Sequence, residues 1–402
     1  MVSVVLLAVA GPFLISLVAT LCVRSWARRR GYVDRPGGHK QHSAPVALGG
    51  GIAITLAIVL PLVVGTVGAY WMSGSGDRDG SAVETLDAGT LQTQEWRFPG
   101  VALPELVRTH LDGIADRLPT VLIIVAGALL LHIVGLIDDR RPLGALPKFG
   151  AQFAAAALPV FLCDVRALEL LPAPLSAGVT ILWIVLITNA FNFLDNMDGL
   201  SVGVAVIAAG IFATASMTAG QIFVPVMAWV LVGALLGFLG FNFAPASIYM
   251  GDSGSLVIGY LLAVITVLTT FFSEARDLQW YGVFVPLAVL AVPLYDVASV
   301  CWLRIRAGDN PFRGDQRHFS HRLVRRGMSV RTAVLTIYLA TATTGMSALI
   351  LPRAKDWSLA LLAVAQCVCV VLIIALLEHG DNRSESVQSA PGAEDETDHP
   401  VG

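Results

Sequence analysis

The chain has 402 residues, of which 55% are hydrophobic and only 14% are charged, and its mean hydropathy is +0.73. This composition is far more apolar than that of an ordinary globular protein, which excludes a water-soluble domain and predicts a multispanning membrane protein. The net charge of −3 says little by itself, because basic and acidic residues are unevenly distributed along the chain.

Apolar stretches of membrane-spanning length recur along most of the chain. A helix needs about 20 apolar residues to cross the hydrocarbon core. Eleven candidates are found, near 3–23, 48–72, 118–137, 149–164, 176–194, 200–219, 221–243, 254–272, 282–303, 331–351 and 357–377. The fourth is short and the sixth and seventh are nearly continuous, so ten spans are also possible. The runs do not alternate, which excludes a membrane β-barrel. We therefore predict an all-α, polytopic membrane helix bundle.

The distribution of Lys and Arg predicts the orientation of this bundle, because cytoplasmic loops are enriched in both. With the N-terminus outside, the cytoplasmic loops receive most of the basic residues, including eight arginines from Arg304 to Arg331. This orientation makes 73–117 an extracytoplasmic loop within a membrane domain of residues 1–379. The acidic, Ser-rich segment 380–402 is predicted to be a disordered cytoplasmic tail. The same orientation places every acidic and histidine-bearing cluster on the cytoplasmic side.

The first cluster is Asp138 and Asp139, where a span meets the cytoplasm. Adjacent carboxylates raise one another's pKa unless a cation relieves them, so the pair suits a proton acceptor near a metal-bound phosphate. The alternative is a solvated helix end whose acids pair with Arg140 and Arg141.

The second cluster is Asn192, Asp195 and Asp198. Residues spaced three apart share one face if the helix continues, which favours the lining of a site. Gly199 marks the helix end or a turn, so a simple turn between two spans is the alternative.

The third cluster, Met250 to Ser255, opens the next span. N–H groups at a helix start can bind phosphate oxygens, and Asp252 could hold a magnesium ion that bridges them. The ring of Tyr249 offers a surface on which a nucleobase could stack. Gly-Asp-Ser-Gly is alternatively an ordinary helix N-cap.

The fourth cluster contains His318 and His321, three residues apart. The positive-inside rule accounts for most arginines around them, but it does not account for the two histidines beside Asp315. Histidine and arginine together can bind a pyrophosphate. The four clusters predict a magnesium-dependent membrane enzyme that acts on a phosphorylated substrate at the cytoplasmic surface. Zinc is disfavoured, since no Cys or His pair has partners at ligand spacing.

The ordered motifs resemble those of the polyprenyl-phosphate N-acetylhexosamine-1-phosphate transferases. The resemblance covers about residues 30–330 and rests on Lys40-Gln-His42 with Gly49 to Gly51, Asp138-Asp139 with Lys148-Phe-Gly-Ala-Gln152, Asn189 to Leu200, Phe241 to Ser255, and Asp315 to Leu323.

The resemblance implies that a polyprenyl phosphate, here undecaprenyl phosphate, attacks the β-phosphate of a UDP-sugar and releases UMP. It implies Mg²⁺ as the cofactor, with Mn²⁺ as a substitute, a location in the cell (inner) membrane, no nucleic-acid partner, and a possible homodimer. It also implies roles for individual residues. The catalytic residues are Asp138 as base, Asp139 and Asp195; the metal ligand is Asp252; the substrate-binding residues are Lys148, Asn192, Asp198, Asn242, Tyr249, His318, His321 and Arg322.

Two positions depart from the family pattern. Asn196 stands where the family usually has glycine, and Ser320 replaces the first of two adjacent histidines. The ending His321-Arg322-Leu323 resembles the branch that starts envelope glycans such as O-antigen or teichoic acid. It therefore favours UDP-GlcNAc over UDP-MurNAc-pentapeptide. An ion-coupled transporter that uses Asp296 near the midplane, or a catalytically silent scaffold, is the alternative from another class.

Overall fold

A computed structural model describes residues 2–34, 45–75, 111–269, 271, 280–309, 317–354 and 356–379. The predicted tail, most of the predicted outer loop, and Lys40, His42 and Asp315 lie outside these ranges. The helices are α1 (Val2–Arg30), α2 (Gly50–Ser75), α3 (Leu111–Ala115), α4 (Leu118–Asp138), α5 (Ala145–Leu162), α6 (Ala173–Leu194), α7 (Leu200–Thr218), α8 (Phe223–Asn242), α9 (Asp252–Leu268), α10 (Val285–Val289), α11 (Ala291–Arg306), α12 (Phe319–Arg325), α13 (Val330–Ile350) and α14 (Trp357–His379). Two 3₁₀ turns, Trp280–Phe284 and Leu351–Arg353, complete the helical elements, and two short strands, β1 (Val33–Asp34) and β2 (Val46–Ala47), pair antiparallel.

The predicted helical membrane bundle is confirmed. Within the described ranges nine helices are long and apolar enough to cross a membrane, and ten if one bent pair forms a single span. The eighth predicted stretch, 254–272, is α9, whose 17 residues make it shorter than each of these nine helices. The sixth and seventh stretches are separate helices, because the chain turns at Gly220 with a φ of +70°.

A short apolar helix lies at the centre of the bundle. Helix α9 packs against α2, α4, α6, α7 and α8, and every residue from Ser253 to Thr266 is buried. A helix that is apolar on all sides belongs in the interior, and at about 1.5 Å per residue α9 extends only about 25 Å. Helices α1 and α14 are mostly exposed and form the periphery of the bundle.

A sharp bend of 67° separates the segment 281–289 from α11. Pro293 lies in the first turn of α11 and has no N–H to donate to the preceding turn, so the helical hydrogen bonds are interrupted there. The bend places the buried Asp296 beside the segment that begins at Arg317.

Candidate active site

The start of α9 is the point at which the predicted polar clusters meet. Lys148, from the first turn of α5, places its Nζ 2.8 Å from Asp252 Oδ2 and 3.2 Å from Asp138 Oδ2. One cation therefore bridges two carboxylates that are 114 residues apart in the sequence. Asp138 pairs with Lys148 and not with Arg140, whose guanidinium instead lies 5.5 Å from the ring centroid of Tyr32.

Asp138 is held by the chain that follows it as well as by Lys148. The backbone N–H of Leu143 donates to Asp138 Oδ1 over 2.8 Å. Its two oxygens thus have different partners, one from the backbone and one from a lysine. Oδ2 is the oxygen that faces Asp252 through Lys148, and the role of Asp138 as a base stays a prediction.

Asp139 points away from its neighbour and caps α9. Its carboxylate accepts hydrogen bonds from the backbone N–H groups of Asp252 (2.8 Å) and Ser253 (3.3 Å). These are N–H groups for which the sequence predicted a phosphate partner. Burial raises the pKa of Asp139 to about 6, although these hydrogen bonds oppose the rise. A Cβ on Gly251 would lie 2.6 Å from this carboxylate, so only glycine admits the cap.

Both oxygens of Asp252 are oriented by other side chains. Asn192 donates from Nδ2 to Asp252 Oδ1 over 3.0 Å, and the same nitrogen lies 2.9 Å from Ser255 Oγ. Lys148 holds the second oxygen. Side chains from α5 and α6 therefore both donate to the carboxylate of Asp252, which belongs to α9.

The turn between α6 and α7 carries the next two acids. Helix α6 ends at Leu194, so Asp195 and Asp198 lie in a turn and not on the continuing helical face that was one prediction from sequence. Asp195 has no hydrogen-bond donor among the described residues. Burial raises its pKa, and the nearby charges of Asp252, Asp139 and Asp198 raise it further.

Asp198 and Asn242 join this turn to the loop before α9. Asp198 Oδ2 accepts from the backbone N–H of Ala246 over 2.8 Å. Asn242 accepts from Gly199 N–H (3.2 Å) and donates to the Ile248 carbonyl (3.0 Å). The buried amide of Asn242 thus fixes the loop geometry, and its contact with substrate stays a prediction.

Strand β2 and the start of α2 lie beside Tyr249. The backbone N–H of Tyr249 donates to the Ala47 carbonyl over 2.8 Å, and the Tyr249 carbonyl accepts from the Gly50 N–H over 2.9 Å. Burial and then the charges of Asp198 and Asp34 raise the pKa of Tyr249 to about 12, which keeps the phenol neutral. Its predicted stacking on uridine is untested.

Asp296 is a polar partner that the sequence motifs did not assign to the site. Its fully buried carboxylate lies 2.8 Å from His318 Nδ1 and accepts from Phe319 N–H over 3.2 Å. The ring of His318 lies edge-on to Phe193, 5.8 Å between centroids, which brings it to the α6 end of the site. The sequence did show Asp296 as an acid inside an apolar stretch, but sequence spacing could not predict that His318 is its partner.

Arg322 is engaged within the protein. Its Nη2 and Nε lie 2.7 and 3.1 Å from Glu378 Oε2, and its Nη1 donates to the Arg317 carbonyl over 2.8 Å. Glu378 belongs to α14 and is buried. These contacts join α14 to the histidine segment, residues 317–322. The contact of Arg322 with phosphate or sugar remains a prediction.

His132 is a second residue that the motifs did not include. It lies inside α4, with Nδ1 2.9 Å from the Ser253 carbonyl and 3.1 Å from Thr55 Oγ1. Its imidazole joins α2 and α4 to the first turn of α9. A polar ring at a helix interface costs little when it is hydrogen-bonded in this way.

The carboxylates suit a magnesium ion that is shared with a substrate. No three His, Cys, Asp or Glu side chains within the described ranges are close enough to hold a metal alone. Mg²⁺ does not need such a set, because it binds through one or two carboxylates, waters and substrate phosphates. Asp195, which is near the charges of Asp252, Asp139 and Asp198 and has no hydrogen-bond donor among the described residues, would suit a cation held together with Asp252.

The pairing of Asp296 with His318 leads to a first prediction. A carboxylate accepts, so Nδ1 donates and Nε2 is left for a ligand. His318 and Phe319 contact different oxygens of Asp296, and Asp296→Asn replaces one of these acceptors with an NH2 donor. With Phe319 N–H kept on the remaining oxygen, the amide nitrogen faces His318 Nδ1, so the imidazole should change tautomer. We expect kcat/KM to fall by about 10- to 100-fold.

The measurement is kcat/KM for Asp296→Asn, His318→Ala and the double variant. If Asp296 acts through His318, the double variant should be no worse than His318→Ala. A loss that is equally large in both backgrounds would contradict this role.

Four polar clusters from distant parts of the chain thus form one acidic site with a single bridging lysine, at one end of a membrane bundle. This is the site of a membrane-embedded enzyme that handles phosphates.

Comparison with known proteins agrees with this class. A family model described as glycosyl transferase family 4 matches residues 121–270. A probable undecaprenyl-phosphate N-acetylglucosaminyl 1-phosphate transferase of Bacillus subtilis is 32% identical over 260 residues, 63% of this chain and 71% of the relative. A decaprenyl-phosphate N-acetylglucosaminephosphotransferase of Mycobacterium tuberculosis is 32% identical over 400 residues, 92% and 88% of the two chains.

A phospho-N-acetylmuramoyl-pentapeptide-transferase of Desulforudis audaxviator is 30% identical over 339 residues, which are 76% of this chain and 98% of the relative. The chain belongs to glycosyl transferase family 4, among its polyprenyl-phosphate sugar-1-phosphate transferases. The predicted family is confirmed, and the transporter alternative is set aside.

Proposed function

We propose that the protein transfers N-acetylglucosamine-1-phosphate from UDP-GlcNAc to undecaprenyl phosphate and releases UMP, as the first membrane step of an envelope glycan. The observation that carries this proposal is the convergence of Asp138, Lys148 and Asp252 at the start of α9. The choice of sugar is supported by the relatives named for N-acetylglucosamine, one of which aligns with 92% of the chain, against 76% for the muramoyl-pentapeptide relative.

The reaction requires a proton acceptor and a binding site for the donor. Asp138 Oδ2 would take the proton of the lipid phosphate, whose oxygen then forms a bond to the β-phosphorus. The bond from that phosphorus to the oxygen bridging the α-phosphate breaks, and UMP leaves. Lys148, which donates to both Asp138 and Asp252, would contact a phosphate when one binds.

The remaining residues would bind and orient the donor. Asp252, with Asp195 beside it, would hold Mg²⁺, which when bound offsets charge on the pyrophosphate oxygens. Asn192 keeps Asp252 in place. Asp198 and Tyr249 would bind uridine, while His318 and His321 would face the sugar-phosphate. Asp139 would support the site by fixing the start of α9.

A cytoplasmic active site is part of the proposal. Arg24, in the basic end of α1, donates from Nη1 to Ser247 Oγ over 3.2 Å, and its guanidinium lies 5.3 Å from the ring centroid of Phe241. Basic residues mark the cytoplasmic ends of spans, and here they border the loop before α9.

The test is UMP release by the purified full chain in detergent with undecaprenyl phosphate and Mg²⁺. UDP-GlcNAc and UDP-MurNAc-pentapeptide are compared, with and without the lipid and with EDTA. We expect lipid-dependent UMP release from UDP-GlcNAc and none from UDP-MurNAc-pentapeptide. EDTA should abolish this release, and added Mg²⁺ or Mn²⁺ should restore it. Lipid-dependent UMP only from the pentapeptide donor would instead assign the protein to peptidoglycan synthesis.

A further inference from the structure

The two positions at which this chain departs from the family pattern are in direct contact. Ser320 donates from Oγ to Asn196 Oδ1 over 2.6 Å, across 124 residues of sequence. Ser320 is fully buried in the first turn of α12, so its hydroxyl cannot exchange this partner for water. One buried hydrogen bond therefore joins the acidic turn to the histidine segment.

Both the oxygen and the nitrogen of the Asn196 amide form hydrogen bonds. Its Nδ2 donates to the Phe193 carbonyl over 2.8 Å. That carbonyl lies in the last turn of α6, where backbone oxygens lack a helical partner. Asn196 thus caps the end of α6 and holds α12 with the same side chain. It is not among the described residues with positive φ, so the turn does not require glycine at this position.

The contact fixes His321, the residue next to Ser320. The imidazole of His321 lies against the backbone of Asn196, and its Nδ1 is buried without a hydrogen-bond partner among the described residues. A buried imidazole nitrogen without a partner is costly, and a polar group of a bound substrate would supply one. The position of this nitrogen depends on how α12 meets the turn at Asn196.

We propose that Asn196 and Ser320 form a coupled positioning pair that sets His321 and α12 against the Asp195 to Asp198 turn, and that each residue compensates for the other's departure from the family pattern. The proposal rests on the proposed function, since the substrate that this geometry serves is the UDP-sugar. Removing Asn196 strands a buried hydroxyl, while a histidine at 320 needs the space that the Asn196 side chain fills.

The first experiment is a double-mutant cycle with Asn196→Ala, Ser320→Ala and the double variant. KM for UDP-GlcNAc, kcat and Tm are measured for each, with Ser216→Ala as the matched control. Ser216 is equally buried but bonds only within its own helix. We expect each single variant to lose about tenfold in kcat/KM, and the double variant to lose no more than the worse single one.

The second experiment moves both positions to the family pattern. Ser320→His alone should lose activity through crowding, Asn196→Gly alone through the lost bond, and the double variant N196G/S320H should recover most of the native kcat/KM. If the fold-loss in kcat/KM of each double variant equals the product of the losses of its two single variants, in the alanine cycle and in the Gly/His cycle, the proposal is overturned. Variants whose Tm falls while the kcat/KM of the folded fraction stays native would also overturn it.

Failure of the proposed function gives a different result. In that case the native chain makes no lipid-dependent UMP from UDP-GlcNAc, and the coupling is read from Tm alone. Coupled Tm changes would keep the pair as a contact between the turn and α12, whereas additive Tm changes would overturn it.

Discussion

Asp252→Asn should abolish lipid-dependent UMP release, with kcat at least about 10³-fold below the native value. The substitution keeps the shape of the side chain but removes its charge. An amide nitrogen cannot accept from Lys148 or Asn192, both of which now donate to this carboxylate, and it cannot ligate magnesium.

The assay is UMP release at saturating UDP-GlcNAc, with Tm recorded for every variant. Asp164→Asn is the matched control, because Asp164 is exposed, pairs among the described residues only with the nearby Arg166, and should leave kcat unchanged. Near-native activity of Asp252→Asn would remove Asp252 from the metal site.

The second large effect is expected at Gly135, where α4 touches α9. A Cβ at this position would lie 2.4 Å from the backbone nitrogen of Ser253 and 2.5 Å from its Cα. Backbone atoms cannot rotate away as a side chain can, so Gly135→Ala must push the two helices apart. Overpacking of this kind costs about 1–3 kcal/mol or more.

The same displacement should reduce activity, because Asp139 and His132 hold the start of α9 from α4. A misplacement of about 1 Å can cost about 10²-fold in rate, and we expect a loss of that order. Tm and UMP release are the measurements. Gly210→Ala, within α7, is the control, since nothing lies within 4 Å of its added Cβ. If Gly135→Ala keeps native Tm and activity, the close contact of α4 and α9 is wrong.

Much of the bundle could be predicted, because apolar length and composition act locally along the chain. Each predicted stretch falls on a helix with its ends shifted by a few residues, and the stretch 282–303 is divided by the 67° bend. The central place of α9 could not be predicted, since hydropathy does not separate a lipid-facing helix from one surrounded by protein.

The site shows the same division. Asp138 and Asp252 were found from charge at span ends, and their bridging by Lys148 is a long-range contact that spacing does not reveal. The N–H groups for which a phosphate contact was predicted, those of Asp252 and Ser253, donate instead to the carboxylate of Asp139, which follows α4. This long-range contact could not be predicted from the sequence. The partners of His318 and Arg322 lie 22 and 56 residues away, on helices that only tertiary packing brings near.

The most direct test of the central claim follows the β-phosphate. Purified protein is given UDP-GlcNAc labelled with ³²P at the β-position, undecaprenyl phosphate and Mg²⁺, and the lipid and aqueous phases are counted. Attack on the β-phosphorus predicts that the label enters the lipid phase in equal amount to the UMP formed. Label that stays in the aqueous phase as UDP, while GlcNAc enters the lipid, would show transfer of sugar without phosphate and contradict the account.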